Sequence, residues 1–490
     1  MYRTICLLFV LLGLLVSCTP GSDGAKEKSD ANQSAVGGSP MQEIETSDNA
    51  YTEELPETDF GGRVFTFLSY GDGTINTWST ADIVREAETG DPMDDAVYTR
   101  NKRVEGRFGI EIDAQYNATA ALVERTVKSG DNAFDAVWLD MYNLGICAQK
   151  QYLADLKELP FLNLGKKYWD QSVMRDLSVN GRIYFVTGDI SVVDKWSTWI
   201  MMFNKNMVRL NDLESPYELV KNGEWTIDKF SRMVKDVSKD LDGNGIWDEK
   251  DQYGFTTTND TAYGFYYSCG ETPVVKDKND MLEYSYKNGG TDKLQKVIEM
   301  TVEILKKDDN TLIVNNGKYS WQVGMNVFLE DRALFYSEVM IQVERLRVME
   351  TDFGILPLPK FDKNQKDHIT FVHPAGGLLG VPVTHEDREF AGIILEAVAA
   401  ESHRTLKPAY YDITLKIKGA RDLESEQMLD IILQNRMFDP GIIYDFGNVL
   451  SSYHSLAAKG GTDISSMLEK QGAKAQKAID DFNDKFNLAD

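Results

Sequence analysis

Apolar and polar positions alternate along the chain in ways that predict its elements. Val64 to Tyr70 (VFTFLSY) is rich in β-branched and aromatic residues and predicts a strand. Asp91-Pro92 predicts a helix start, because aspartate caps well and proline fits the first turn. Val97, Val104 and Phe108 share one face of that helix, and Gly109 stops it. Ile110 to Ala114 (IEIDA) alternates as a second strand. Thr119 caps a helix from Ala120 to Ser129 that Gly130 ends, and Phe134 to Leu139 (FDAVWL) is a third strand. This β-α-β-α-β order, with connections long enough for crossovers, predicts a parallel sheet with helices on both faces.

Downstream the pattern is mixed. Arg182 to Val186 and Trp199 to Asn204 read as strands. Thr226 caps a helix whose apolar face is Ile227, Phe230, Met233, Val234 and Val237. Thr291 to Lys307 is a long amphipathic helix, and Ala333 to Ser337 and Phe353 to Leu358 are buried strands. Phe371 to Val381 runs through the pair Gly376-Gly377, and the remainder is mostly helical. No internal repeat is present.

The 490 residues leave room for two domains or one large bilobal one. A net charge of −25 repels phosphate backbones and argues against a nucleic-acid partner. The N-terminus, MYRTICLLFVLLGLLVSC, carries Arg3 and then an apolar run from about Ile5 to Val16. That run is short for a membrane span and predicts a signal peptide, residues 1–17. It ends in Leu15-Val16-Ser17-Cys18, which resembles the bacterial lipobox. Cleavage before Cys18 and its lipidation would hold the exported protein on the outer face of the cell membrane. The alternative is an ordinary secretory signal with an incidental cysteine. Residues 18–55 then form the lipidated cysteine and a flexible tether, polar and glycine-rich to about Tyr51. Cys147 and Cys269 remain, as a bridge or as two buried thiols.

Enzyme signatures are sparse. There is no Gly-x-Ser-x-Gly elbow, no phosphate-cradling Gly-x-x-x-x-Gly-Lys loop and no His-Glu-x-x-His. The string from His385 to Glu389 lacks the second histidine, and His368 with His373 reads as structural. A glycosidase needs only two carboxylates, and 77 acidic residues keep that alternative open.

The dodecamer DLDGNGIWDEKD, residues 240–251, follows a calcium-loop pattern. Asp240, Asp242 and Asn244 stand at positions 1, 3 and 5, Gly245 makes the turn, Ile246 offers its carbonyl, and Asp248 stands at 9. Position 12 holds Asp251 where a bidentate glutamate is usual. One loop between a helix and a strand points to a structural calcium rather than a sensor; the alternative is a solvated acidic turn.

From about Asp59 onward the chain resembles the extracellular solute-binding proteins of bacterial ABC importers, the large, lipid-anchored carbohydrate type. The segments that carry the likeness, in order, are DFGGRVFTFLS, ETGDPMDDAVYTRNKRVEGRFGIEI, AFDAVWLD, YLADLKELP, KKYWDQSV, NGRIYFVTGDI, MMFNKNMV, SPYELVKNGEWTIDKFSRMVKDV, the acidic loop with DQYGF, ALFYSEV, TDFGILPLPK and GGLLGVP. The resemblance implies a periplasmic-binding-protein-like class II fold: two α/β lobes, a hinge and an interlobe ligand cleft. It implies crossings near Thr187 to Ser191, Phe335 to Met340 and His373 to Gly380. Lobe 1 is then 56–187 plus 338–375, and lobe 2 is 188–337 plus 376–490. The Gly376-Gly377 pair suits a hinge or an ordinary turn.

The function so implied is capture of a sugar, an oligosaccharide by size, and its delivery by a monomer to permease subunits. Alternatives are a surface glycan-binding lipoprotein without a transporter and a carbohydrate hydrolase. The rule that ligands sit beyond the carboxyl ends of strands selects Tyr70, Asp140, Tyr142 and Asp189, then Trp196 and Trp199 in DKWSTW, then Glu338 and Met340. His373 and Tyr453 are weaker candidates. Each has a packing or capping alternative.

Overall fold

The first sheet is assembled from β1 (Arg63–Ser69), β2 (Ile110–Gln115) and β3 (Ala136–Asp140). They pair in parallel, Phe65 opposite Ile112 and Phe67 opposite Ala136. The local signals that set this up are all formed. Asp91 accepts the amides of Met93 at 2.9 Å and Asp94 at 3.3 Å, which starts the helix Pro92–Phe108. Gly109 ends it in the left-handed conformation, φ 60°. Thr119 accepts the Leu122 amide at 3.1 Å, and Gly130 closes the second helix the same way. Every residue of β3 is buried, as a strand covered on both faces must be.

This computed structural model describes residues 52–71, 82–235, 237–306, 309–416 and 422–487. The predicted signal peptide, Cys18 and nearly all of the tether lie outside the described residues. Among the described residues no helix is long and apolar enough to cross a membrane.

The second sheet takes β4 (Trp199–Asn204), β5 (Tyr253–Thr258), β8 (Thr311–Val314), β9 (Ala333–Val339) and β10 (Phe353–Leu356), with a small β6–β7 pair (Val274–Lys276 and Leu282–Tyr284) outside it. The order is β10-β4-β9-β5-β8. β5 runs parallel to β8 and β9, while β4 runs antiparallel to β9 and β10. Helices cover both faces. Phe230, from the helix Ile227–Lys235 begun by Thr226, packs edge-on against Phe335 at 5.1 Å and Phe255 at 5.0 Å. Phe328, from the helix Trp321–Leu329, meets Tyr336 on the other face at 5.7 Å.

Between the sheets lies a waist of crossing segments. Val186 bridges Leu379, and Thr198, just before β4, bridges Val372. The expected strand Arg182 to Val186 forms only isolated bridges here, Arg182 with Val179 and Val186 with Leu379. β11 (Thr370–Phe371), β12 (Gly377–Gly380) and β13 (Arg436–Met437) complete the crossing. β11 pairs with β13 in parallel, and β12 runs antiparallel to β3, Gly377 opposite Asp140.

Beyond residue 338 the expected lobe membership is reversed for β10 and β12, whereas the helix Leu423–Gln434 packs on the second sheet as expected. β10 hydrogen-bonds to β4, so this part of 338–375 belongs to the second sheet. β12 instead completes the first sheet, and Phe390 of the next helix stacks edge-on against Phe60 of the first lobe at 4.8 Å. No crossing occurs at Phe335 to Met340. The Met340 amide is held by the Thr198 carbonyl at 2.8 Å, and the chain doubles back to lay β10 beside β4. The return comes at Gly376-Gly377, where glycine is required by space. A Cβ on Gly376 would lie 2.1 Å from Ser197 Oγ, and one on Gly377 would lie 2.3 Å from Trp138 Nε1.

Candidate functional site

The carboxyl ends of β5, β8 and β9 point toward the waist, where they bound a cavity of about 230 Å³. Thr258 ends β5 and Asp260 follows it, Asn315 follows β8, and Glu338 and Val339 end β9. Gln342 and Arg345, on the short helix after β9, line it together with Trp321. Trp199 and His373 close the waist end. Arg345 lies over the Trp321 ring, 4.5 Å from its centroid, so the indole and the guanidinium form one flat wall. An aromatic face beside amides and carboxylates suits a polar, hydroxylated solute.

The carboxyls in this cleft are in different states. Glu338 is 9% exposed, and one of its oxygens accepts the Val339 amide at 3.0 Å. Burial pushes its carboxyl up to about 7, with Asp260 adding to the effect and the Val339 amide and Arg345 opposing it. Burial acts upward on Asp260 too, but His454, 3.0 Å away, and His373 outweigh it and hold that carboxyl below its ordinary range. His454 is stacked on Tyr263 at 4.6 Å, which fixes its ring. Burial pushes the His373 imidazole down, favouring its neutral form. The cleft thus offers an ionised acceptor at Asp260 and, near neutrality, a carboxyl that both donates and accepts at Glu338.

The residues selected from sequence are not gathered in one place. Trp199, Glu338 and His373 line this cavity. Trp199 is 1% exposed, its indole N–H bound to Ser337 Oγ at 2.9 Å, so it supports the floor and offers little face. Asp140 caps the helix Met141–Gln149, accepting the Asn143 amide at 3.0 Å, which is the capping alternative. Tyr142 is exposed on the first lobe and within the field of Asp260; burial of its hydroxyl and that field raise the phenol's pKa. Tyr70 is half-buried at the end of β1, close to residues outside the described ones. Trp196 donates to Glu344 at 2.9 Å and packs with Val192 and Tyr410. Met340 is buried, its sulfur accepting the Tyr410 hydroxyl at 3.3 Å, and Tyr453 is core, edge-on to Tyr266 at 4.8 Å. Asp189 lies in a different cavity, bound to His403 Nδ1 at 2.6 Å.

Asp260, Asn315, Trp321, Gln342 and Arg345 were not selected from sequence. The strand-end rule finds Asp260 and Asn315 once β5 and β8 are placed. Trp321 opens an apolar helix and carries no signal that separates it from core.

The acidic loop sits between the helix Ile227–Lys235 and β5, closed at its base by the Lys239–Gln252 bridge. Carboxylate oxygens of Asp240, Asp242 and Asp251 lie within 4.8 Å of one another. Asp240 accepts the amides of Gly243 and Gly245, both at 2.8 Å, and Asp251 accepts that of Leu241 at 3.0 Å. Nearby, Asn244 accepts the Ile246 amide at 2.6 Å and Asp248 that of Lys250 at 2.9 Å. The loop enters β5 at its amino end, one strand length, about 17 Å, from the cleft. Cys147 and Cys269 are separate buried thiols, each pushed up to about 12, first by burial.

No protein-family model matches the sequence, and no curated protein does. Solved structures share the fold. An ABC substrate-binding protein from Listeria monocytogenes in complex with cycloalternan aligns with TM-score 0.53 at 13% identity, over 87% of this chain and 98% of that one. A cyclo/maltodextrin-binding protein complexed with maltotetraose aligns with TM-score 0.55 at 11% identity, over 87% and 98%. An ABC transporter solute-binding protein from Agrobacterium radiobacter in complex with ribitol aligns with TM-score 0.53 at 12% identity, over 86% and 100%. The likeness establishes the fold as the two-lobed α/β fold of periplasmic binding proteins.

Proposed function

We propose that this protein captures a carbohydrate between its lobes and passes it to the permease of an ABC importer. The observation that carries the reading is the cleft at the strand ends of the second sheet. There the Trp321–Arg345 wall, Asp260, Glu338, Asn315 and Gln342 converge beside the waist. Aromatic faces bind the apolar C–H surface of a sugar ring, and the polar groups take its hydroxyls. The fold is shared with proteins solved with cycloalternan, maltotetraose and ribitol, and those ligands supply the substrate class. Closure of the first lobe, which presents Tyr142, would complete the site. The chemistry is capture without bond breaking.

Export and lipidation at Cys18 would keep the binding lobes beside the membrane that holds the permease. A calcium ion on Asp240, Asp242 and Asp251 would relieve the repulsion among these carboxylates and pin the turn into β5. Its part is structural, since the loop stands a strand length from the cleft.

A thermal-shift screen against mono- and oligosaccharides tests the reading, because a ligand of the native state raises Tm. The hit should lose about tenfold or more in affinity in Trp321→Ala, with Tm in the absence of sugar little changed. Turnover of an oligosaccharide by the purified protein, or an affinity indifferent to Trp321→Ala, would overturn it.

A further inference from the structure

The charge of the cleft is lopsided, and the excess continues onto the first lobe. Glu338 and Asp260 line the cavity from the second lobe, and the one lysine or arginine among its lining residues is Arg345. That guanidinium is already laid on the Trp321 ring and donates to Gln342 Oε1 at 3.2 Å. The first lobe contributes two more carboxylates. Asp140 ends β3, and Asp445 follows the helix Pro440–Tyr444. This helix lies against the helix Met141–Gln149, so closely that a Cβ on Gly145 would stand 2.8 Å from Ile443. Asp445 is half-buried and accepts the Ser451 amide at 3.4 Å.

Two tyrosines sense these charges, Tyr142 from the first lobe and Tyr263 from the second. Each phenol is pushed up first by burial. Asp260, Asp445 and Asp140 add to the effect at Tyr142, and Tyr142, Asp260 and Asp445 at Tyr263. Among the described residues no cation opposes them at either ring. Buried carboxylates are costly unless a cation pairs with them. The one ion pair that these four make among the described residues is that of Asp260 with His454. Glu338 is nine-tenths buried and gives one oxygen to the Val339 amide; its other oxygen has no hydrogen bond among the described residues. Four carboxylates thus stand against one arginine and one histidine.

We propose that the solute of this cleft is an amino sugar, its ammonium bound by Glu338 and Asp260 and its ring set against Trp321. The inference rests on the carbohydrate reading above and narrows it to a cation. An ammonium beside Glu338 offsets the burial that keeps the carboxyl protonated, so Glu338 ionises as the ligand enters. Asp445 and Asp140 act at longer range, as a field that favours the cation without touching it. The same charges repel a sugar acid.

Isothermal titration of the full chain with D-glucosamine tests this. The controls are two neutral sugars of like shape, D-glucose and N-acetyl-D-glucosamine, and putrescine, a cation without a ring. D-Glucosamine should bind tighter than putrescine, and about tenfold or more tighter than either neutral sugar, the worth of a charge-assisted hydrogen bond. Glu338→Gln keeps an acceptor for the Val339 amide and should remove that margin. Asp445→Asn gives a second variant, since asparagine tolerates the left-handed conformation of residue 445, φ 41°. It should weaken D-glucosamine by about twofold and leave D-glucose unchanged. Trp321→Ala should weaken all three sugars alike, which separates the aromatic contact from the charge. No binding of D-glucosamine, equal or tighter binding of a neutral sugar, or a margin that survives Glu338→Gln overturns this proposal. Capture of a neutral sugar would then still stand. Tighter binding of putrescine than of any sugar overturns both.

Discussion

Glu338→Gln should make the protein more stable, and only above a definable pH. The Glu338 carboxyl is buried at the end of β9 and pushed up to about 7 from an ordinary 4.5, burial being the main cause. An unfolded chain releases this proton near 4.5, while the folded chain holds it until about 7. Between those values the folded state binds more protons than the unfolded state, so stability falls as pH rises through the window. At about 1.36 kcal/mol per pH unit, the gap costs about 3 kcal/mol once pH exceeds 7. Glutamine keeps an acceptor for the Val339 amide and cannot ionise. Urea unfolding followed by tryptophan fluorescence should give equal stabilities for wild type and variant at about pH 4.5. The variant should be ahead by about 3 kcal/mol at about pH 8. Other titrating groups cancel in the difference. A difference flat with pH, or a variant weaker at about pH 8, would refute the assignment of Glu338 as a carboxyl held against ionisation. On the proposed function the same variant should also bind sugar more weakly, since Glu338 lines the cleft.

Other outcomes follow from the waist and the loop. Arg436→Met leaves Asp170 and Asp194 without their shared guanidinium and should cost about 3–5 kcal/mol in urea unfolding. A loss below about 1 kcal/mol would show the cluster to be dispensable. Chelation of calcium should lower Tm and leave sugar affinity unchanged; Asp251→Asn should remove the calcium response, whereas a change in affinity with no change in Tm would place the ion's role in the cleft. Cys147 and Cys269 should react with a thiol reagent only in denaturant and without prior reduction, because both are buried, unbridged and held as thiols.

Local signals made the first lobe legible. Asp91 with Gly109 and Thr119 with Gly130 bracket two helices, which alternate in sequence with the three strands. The second sheet resists such reading. β4, β5 and β9 are buried on both faces, so their sequences have no period from which pairing order can be drawn. Both sheet orders are decided by contacts distant in sequence, and β10 and β12 join the sheets opposite to those expected for that reason. Alternation along β9 separates Glu338, at the cleft, from Ser337, which only anchors Trp199. Trp196 and Trp321 are indistinguishable by type; the partner Glu344 ties up one, while the other has Arg345 laid over its face.

The cavity lining comes only from residues 199–373, and this asymmetry divides the kinetics of capture. On the proposed function a sugar would meet most of its partners on encounter with one lobe, so the association rate would depend little on where the other lobe stands. On the same proposal the first lobe would add Tyr142 afterwards, and its contribution would fall on the time the complex survives. Variants of Asp260 and Trp321 should therefore act on loading, and variants of Tyr142 on retention.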